Sequence, residues 1–462
     1  MRAWPAAAAL LAGCAAAPAG PSALESGRAA LAALAARSAP DGDPATVDLL
    51  VAADEAFLAL HGPDAARVLE EAVAAADRAL GEAAGVRFRI GGAAPFPSTP
   101  DSRDDLRLLW EARLSLRRGA CDAAAAFTGQ RCGARAGAAV PELRLLLCAD
   151  PDDPARNLAH EAAHLFGAQD LGRDHPGYAS PSLMSYDADQ PRTLALDAVN
   201  LARVRARAGR LPPPARDHAA EALAARLAAL APEEGAALRD ALLGAESRIS
   251  HEDGLEAAAR LLAARPGDAA GRRAEAECLR VLRRGSEAAP RFAASLEAVA
   301  SAASPPDGLD RHGVLETARL AVDGVDGLAP LRPAAESALA RLDAAFPGDA
   351  EVLDLRASLR ARAGDRPAAE RLYRAAMEAA PAAVFPRRHL ASLGKSSGDA
   401  ALWLEGWRAA LGADPLDPVL GVQFVEDGLS AFPAAIRGPA RDEARAALDA
   451  AARAWPAWDA PA

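Results

Sequence analysis

Prolines recur at a fixed interval of 34 residues in the second half of this 462-residue sequence. Pro347, Pro381 and Pro415 form one series, and Pro232 and Pro266 are separated by the same interval. The segments between these prolines are rich in alanine, have apolar residues at helical spacing and contain no strand pattern. A fixed period of this length indicates stacked repeats of one helix pair each, and it constrains the fold of this half more than any other feature does.

The repeats resemble those of tetratricopeptide proteins at positions where small and aromatic residues pack. The segment ending at Pro381 has Ala357, Ala369, Tyr373 and Ala376, and the segment ending at Pro415 has Ala391, Trp407 and Ala410, with Trp403 in place of the usual small residue. The interval of 81 residues from Pro266 to Pro347 is not a multiple of 34, so a degenerate or extended repeat must lie there. We therefore expect tetratricopeptide-like repeats over residues 211–462, whose concave surface suits a protein partner or substrate. A generic helical bundle with coincident prolines is the alternative.

Residues 47–210 mix strand patterns with helix patterns. The expected elements are strands over 46–54, 85–92, 121–129 and 142–149 and helices over 63–80 and 104–117. The strand–helix–strand order at the beginning predicts two parallel strands with a crossover helix. The predicted fold class is therefore an α/β domain with a mixed sheet, followed by the all-α repeat domain.

The segment HEAAHLFGAQD, residues 160–170, has the pattern of a short helix with a sharp end. Asp153 and Pro154 predict the helix start, because a carboxylate caps the first turn and proline suits the first helical position. Gly167 predicts the end, because glycine readily takes the left-handed conformation.

Two histidines and a glutamate on this helix suit metal-dependent hydrolysis. His160 and His164 are four residues apart, so a helix places both imidazoles on one face, where they can bind one metal ion. Glu161 would lie beside the metal, where its carboxylate can take a proton from a water that Zn²⁺ has acidified. This pattern also occurs on surface helices with solvated histidines. Asp170, three residues after the glycine, adds a carboxylate that can serve as a further ligand.

The pattern HExxHxxGxxD, with the later SLMSY at residues 182–186, resembles the metzincin clan of zinc metalloproteases. The resemblance covers roughly residues 47–209, and an aspartate as third ligand is similar to snapalysin-type enzymes. It implies a zinc ion with three protein ligands and Glu161 as the general base. The implied ligands are His160, His164 and Asp170. Asp174 and His175 lie close behind, and His175 is the main alternative for the third ligand.

The same resemblance gives roles to two residues of SLMSY. Met184 would form an apolar floor under the ligands without binding the metal, and the alternative for it is simple core filling. Tyr186 lies where astacin- and serralysin-type enzymes have a tyrosine, so it would be catalytic, approaching the metal or donating to the oxyanion of the intermediate. A packed aromatic residue is the alternative. Residues 194–209 would form the closing helix of the clan's fold. The strands over 121–129 and 142–149 would flank the cleft, and one of them would pair with an extended substrate as an added strand.

The N-terminus resembles a bacterial lipoprotein signal. The sequence MRAWPAAAALLAGC has one basic residue, an apolar run too short to span a bilayer, and the box LAGC that ends at Cys14. We expect residues 1–14 to be the signal with its lipidation cysteine and residues 15–46 to be a flexible tether that contains one short helical stretch around Leu24–Arg37. The protein would then be membrane-anchored by lipid alone, outside the cytoplasm, at the outer membrane of a bacterial cell envelope. An ordinary secretory signal and a disordered alanine-rich leader are the alternatives.

The other four cysteines bear on the redox state. Cys121, Cys132 and Cys148 lie near one another in the catalytic region, and thiols outside the cytoplasm tend to oxidise, so we expect one disulfide among them. The spacing does not give the pairing. Cys278 lies in a helical pattern and is expected to be a buried free thiol.

These features predict a lipid-anchored zinc endopeptidase that hydrolyses proteins or peptides and uses its repeats to bind a partner or substrate. The formal net charge of −11 argues against nucleic acid as a ligand. The alternative is a scaffold lipoprotein whose repeats bind partners and whose metal domain is inactive or structural. The intact Glu161 argues against the scaffold, because this residue serves chemistry and not folding.

Overall fold

The computed structural model describes residues 22–40, 43, 46–100, 102, 104–132, 137–171, 182–185, 193–208, 211, 215–247, 250–415, 417–438 and 440–454. Within these residues, a five-stranded sheet with flanking helices is followed by a mostly helical region. The predicted order of an α/β part and an all-α part is confirmed at this level.

Five strands and six α-helices make up the described α/β part. The strands are β1 Thr46–Ala53, β2 Arg87–Pro95, β3 Ala123–Phe127, β4 Gly137–Val140 and β5 Leu145–Cys148. The helices are α1 Ala23–Arg37, α2 Glu55–His61, α3 Ala65–Ala84, α4 Asp105–Ser115, α5 Pro154–His164 and α6 Ala198–Arg207. The strand order is β2-β1-β3-β5-β4, and only β4 runs antiparallel to its neighbour. The predicted parallel pair is confirmed, with β1 and β2 joined through α3.

Strand β4 is the one strand of this sheet that the sequence does not predict. Its four residues, GAAV, are too few to show the alternation that marks a strand. It pairs with β5 from Gly137 opposite Cys148 to Val140 opposite Leu145. This pairing places β4 at the edge of the sheet, beside helix α5.

The two faces of the sheet carry separate hydrophobic cores, because side chains alternate along each strand. One core packs against α3 and α5 and includes Cys148. The other packs against α4 and includes Cys121, with Cys132 at its margin. The expected disulfide is not formed among the described cysteines. Cys148 lies on the opposite face from the other two, and the four described cysteines are free thiols, among them the buried Cys278.

Helix α1 corrects the prediction of a flexible tether over residues 15–46. Leu31 and Leu34 are 3% and 2% exposed, in the core that α1 shares with α2 and α3. Gly27 permits close contact with α2, because a Cβ at this position would lie 2.3 Å from Leu58 O. The sequence conceals this packing, since an alanine-rich segment favours a helix whether or not it is buried.

The helical part consists of consecutive helices, most of which pack as hairpins. They are α7 His218–Ala229, α8 Pro232–Glu246, α9 His251–Ala264, α10 Ala269–Val281, α11 Gly285–Ser301, α12 Gly308–Asp323, α13 Arg332–Ala345, α14 Ala350–Arg362, α15 Arg366–Ala379, α16 Phe385–Ser396, α17 Ala400–Ala413, α18 Pro418–Ala431, α19 Pro433–Arg437 and α20 Arg441–Ala454. Across the described residues, none of the helices is long and apolar enough to cross a bilayer.

The spaced prolines mark the starts of helix pairs. Pro266, Pro347, Pro381 and Pro415 each lie a few residues before the first helix of a pair. Two pairs, α10 with α11 and α12 with α13, fill the long interval between the first two of these prolines. The interval is long because α11 and α12 have 17 and 16 residues and two short 3₁₀ turns precede α13. Pro232 differs, since it is the first residue of α8 itself.

Candidate metal centre

Helix α5 carries the HExxH segment and begins where the sequence predicts. Asp153 caps it through a side-chain oxygen that accepts from Arg156 N at 3.1 Å, and Pro154 is its first residue. The helix ends at His164, and Gly167 has φ +79°, the left-handed conformation that glycine adopts without strain. Buried apolar residues of α5 pack on the sheet, and this packing fixes the helix relative to the strands.

Three potential metal ligands converge at the C-terminal end of α5. His160 Nε2 lies 3.1 Å from Asp170 Oδ1, and His164 Nε2 lies 3.3 Å from the same oxygen. The centroids of the two imidazole rings are 5.0 Å apart and the rings are inclined at 80°. Bonds of 2.0–2.2 Å to zinc place tetrahedral ligand atoms about 3.3 Å from one another. The distances from Asp170 Oδ1 to the two nitrogens are close to this value.

Backbone carbonyl groups orient both imidazoles. His160 Nδ1 lies 2.8 Å from Leu183 O, and His164 Nδ1 lies 2.8 Å from Ala168 O. A carbonyl oxygen only accepts, so each Nδ1 carries a hydrogen and donates it. The lone pair of each neutral imidazole is then on Nε2, facing Asp170. Two such nitrogens and a carboxylate oxygen repel one another unless a cation or a proton lies among them, and this donor set suits zinc.

Electrostatic attraction couples Asp170 to the histidines. Burial lowers the pKa of His164, but the hydrogen bond to Asp170 and nearby carboxylates raise it above its ordinary value. Burial also raises the pKa of Asp170, yet hydrogen bonds from His160 and His164 hold it well below the usual range. A divalent cation can replace the proton in this arrangement, because these ligands bind metals in their deprotonated forms.

Glu161 lies between the histidines and strand β4. Its side chain is 1% exposed, and its Oε1 is 4.0 Å from His160 Nε2. A Cβ at Gly137 would lie 2.5 Å from this oxygen, so the carboxylate can occupy its position only because β4 has glycine there. Ligand atoms of His160, Glu161 and His164 all lie within 4.8 Å of one another. The carboxylate is thus close enough to the ligand cluster to exchange a proton with a water held there.

Helix α6 holds the segment that carries Asp170. Asn200 is fully buried; its Oδ1 accepts from Gln169 N at 2.8 Å, and its Nδ2 donates to Gln169 O at 2.9 Å. On the other side of Asp170, Leu171 N donates to Met184 O at 3.0 Å. Both neighbours of Asp170 are therefore fixed through their backbones, which positions the carboxylate opposite the histidines.

Met184 lies in a turn tied to both helices of the site. It is completely buried, at 0% exposure. The Ser182 hydroxyl accepts from Met184 N at 3.2 Å and donates to Asp197 Oδ2, next to α6, at 2.8 Å. Arg156 of α5 donates to two carbonyl groups of the turn at 3.3 and 2.8 Å. These contacts also hold Leu183 O, the acceptor of the His160 hydrogen bond.

Four of the predicted site residues lie close together in the structure. They are His160, Glu161, His164 and Asp170. Cys14, Asp174, His175 and Tyr186 lie outside the described residues, and their roles stay predictions. The sequence analysis missed Gly137, Arg156 and Asn200, which position the others. Only Asn200 gives a signal in the sequence, as an amide among the apolar residues of a predicted helix.

Comparisons with known proteins do not assign a family. No family model matches this sequence, and no curated protein matches it significantly. The functional argument therefore rests on the geometry of the site.

Proposed function

We propose that the protein is a zinc endopeptidase of the metzincin type. The observation that carries the proposal is the convergence of His160 Nε2, His164 Nε2 and Asp170 Oδ1 beside the buried carboxylate of Glu161. A zinc ion, when bound, supplies a Lewis acid that polarises the peptide carbonyl and lowers the pKa of water. Three protein ligands are typical of catalytic zinc sites, whereas structural sites have four.

Glu161 serves as the general base. Its carboxylate accepts a proton from the attacking water and can return it to the departing amine nitrogen. Its position between α5 and Gly137 supports this role, because a carboxylate fixed beforehand needs no ordering during the reaction. Tyr186 would assist as a donor to the oxyanion, and Met184 would form the floor beneath the ligands.

Strand β4 is the place where an extended substrate binds. The sequence analysis expected this role for a strand over 121–129 or 142–149, but β3 and β5 each have a neighbour on both sides. Among the described strands on this side of the sheet, β4 is paired on one side only. A peptide can add to such an edge through main-chain hydrogen bonds, and contact between Gly137 and Glu161 places that edge next to the general base.

The proposal also includes a membrane anchor at the N-terminus and a binding role for the helical region. Lipid on Cys14 would anchor the enzyme in a bacterial envelope, at the outer membrane, and tetratricopeptide-like repeats over residues 211–462 would bind a partner or substrate. The predicted packing residues of one repeat support the repeat interpretation, because all four are buried. Ala357, Ala369 and Tyr373 pack in one hydrophobic cluster, and Ala376 is buried as well.

Metal-dependent cleavage of an unfolded protein tests this function. The chain without residues 1–14 is assayed as purified, after removal of metal with a chelator, and after return of one equivalent of zinc. We expect cleavage to disappear with the metal and to return with it. Tight binding of one zinc with no cleavage of unfolded proteins would instead favour the partner-binding scaffold.

A further inference from the structure

Helix α6 contacts the candidate zinc site with one side and the far end of the helical region with the other. Asn200 faces the segment that carries Asp170. One turn later, Arg203 Nη2 donates to Asp417 Oδ1 at 2.6 Å, and after another turn Arg207 pairs with Asp414. Both aspartates belong to the connection between α17 and α18, more than 200 residues further along the chain.

Arg207 also contacts the turn between the metal-binding histidines and Asp170. Its Nη1 donates to Phe166 O at 3.4 Å. The same nitrogen lies over Gly167, where an added Cβ would be only 2.3 Å away. A single guanidinium group therefore joins Asp414 of the helical region to the backbone that directs the chain from His164 to Asp170.

The contact between α6 and the helical region is mostly buried. Arg203 and Asp417 side chains are 1% and 14% exposed, and those of Arg207 and Asp414 are 30% and 19% exposed. Apolar packing continues the contact, because Val199 of α6 packs against two valines of α18. Loss of one partner from a buried ion pair leaves the other charge unpaired, so pairs of this kind resist separation.

We propose that Asp414 is a positioning residue of the zinc site and acts through Arg207. Asp414 holds the guanidinium against Phe166 and Gly167, and this contact limits the movement of the turn between two of the ligands. The helical region thus helps to build the metal site, in addition to any binding of partners. This inference rests on the proposed function, because it takes His164 and Asp170 as zinc ligands.

A double-mutant cycle on zinc affinity tests the inference. The zinc Kd is measured by competition with a chelator for the parent, Asp414→Asn, Arg207→Ala and the double variant. Loss of a group that supports the ligands typically weakens metal binding 10–100-fold, so we expect about a tenfold rise in Kd for Asp414→Asn. We expect no further rise when this change is added to Arg207→Ala, because Asp414 acts only through that side chain.

Two control variants separate this effect from general damage. Asp343→Asn removes a comparable ion pair elsewhere in the helical region, in which the side chains of Arg356 and Asp343 are 18% and 28% exposed, and it should leave the Kd unchanged. Asp414→Glu keeps the negative charge, so its zinc Kd should be closer to that of the parent than to that of Asp414→Asn. If Asp414→Asn fails to fold, comparison of Asp414→Glu with Arg207→Ala still decides the matter.

Hydrogen exchange of residues 165–171 in the metal-free chain gives a readout that does not depend on zinc. Asp414→Asn should speed exchange of these amides, which include Ala168 and Leu171, while exchange in the sheet stays unchanged. Unchanged exchange with a Kd within twofold of the parent would overturn the inference, and so would additive effects in the cycle. A parent chain that binds no zinc would overturn the proposed function, whereas the exchange experiment would still judge the contact of Asp414.

Discussion

At the scale of single residues, the main assignment is the identity of the third zinc ligand. Asp170 Oδ1 faces both Nε2 atoms at 3.1 and 3.3 Å, while the sequence alone also permits His175 as the third ligand. Each imidazole is oriented by a carbonyl acceptor, so the nitrogen that faces Asp170 is the one with the lone pair. The arrangement favours Asp170 as the ligand.

Separate removal of the two candidates tests this assignment. Asp170→Ala should weaken zinc binding by more than about 100-fold, because even supporting groups around a ligand contribute 10–100-fold. His175→Ala should leave the zinc Kd close to that of the parent. Chelator competition measures both variants, and a large loss in His175→Ala with little change in Asp170→Ala would reverse the assignment.

The residues foreseen from the sequence are those whose positions depend on local geometry. His160, Glu161 and His164 follow from the spacing of a single helix. Gly137 gives no signal in the sequence, and the amide of Asn200 does not indicate which segment it contacts, because each residue reaches the site through a contact between segments distant in the sequence. Gly137 in particular matters for what it lacks, since any Cβ there would meet the Glu161 carboxylate.

At the scale of elements, strand β4 connects the sheet to Glu161, the proposed general base. It was missed in the sequence because four small residues show no strand pattern, whereas the longer β1 and α3 are predicted correctly. Helix α1 was missed as a packed element for a related reason. Its alanine-rich sequence predicts the helix but contains little that distinguishes a buried face.

A small change in β4 should therefore separate catalysis from metal binding. Gly137→Ala would place a methyl group 2.5 Å from Glu161 Oε1 and from Leu147 O, and 2.8 Å from Asn157 Nδ2, so it would displace the carboxylate and also press on the neighbouring strand β5. We expect kcat to fall by about 100-fold, the lower limit of what a general base contributes, with the zinc Kd unchanged. Gly412→Ala in α17 is the control, since nothing lies within 4 Å of its added methyl. Equal kcat values for the two variants would argue against this role of β4.

In the helical part, a buried ionic cluster joins α8, α10 and α12 and should make stability depend on pH. Glu246 pairs with Arg273, and its Oε1 lies 3.3 Å from His312 Nε2. Burial raises the pKa of Glu246, but Arg273 and His312 hold it well below the ordinary value of 4.5. The folded state then binds fewer protons than the unfolded state, so this contribution is complete above pH 4.5 and declines as the pH falls below it.

Unfolding by urea at pH values from about 3 to 6 measures this dependence. The free energy of unfolding should decline below pH 4.5 in the parent and decline less steeply in Glu246→Gln, which has no carboxylate to protonate. Glu246→Gln should also be less stable near neutral pH by about 3 kcal/mol, because Arg273 is left buried without its partner. Parallel pH profiles for the two proteins would contradict the role of Glu246.

At the scale of the whole molecule, the helical region contacts the α/β part at both of its ends. Near its beginning, Arg113 of α4 donates two hydrogen bonds of 2.9 Å to Asp217, the cap of α7. Near its end, the connection before α18 pairs with α6. The 34-residue period predicts helix pairs, but it cannot predict this second contact, which depends on how the pairs stack in space.

The central claim is that one zinc site, with Glu161 as its base, cleaves peptide bonds. Its most direct test measures zinc content and cleavage of an unfolded protein for the parent chain and for Glu161→Gln. We predict that both bind one zinc and that kcat in the variant is lower by about 10²–10⁴-fold, the usual contribution of a general base. Equal cleavage by both proteins, or no zinc bound to the parent, would contradict the claim.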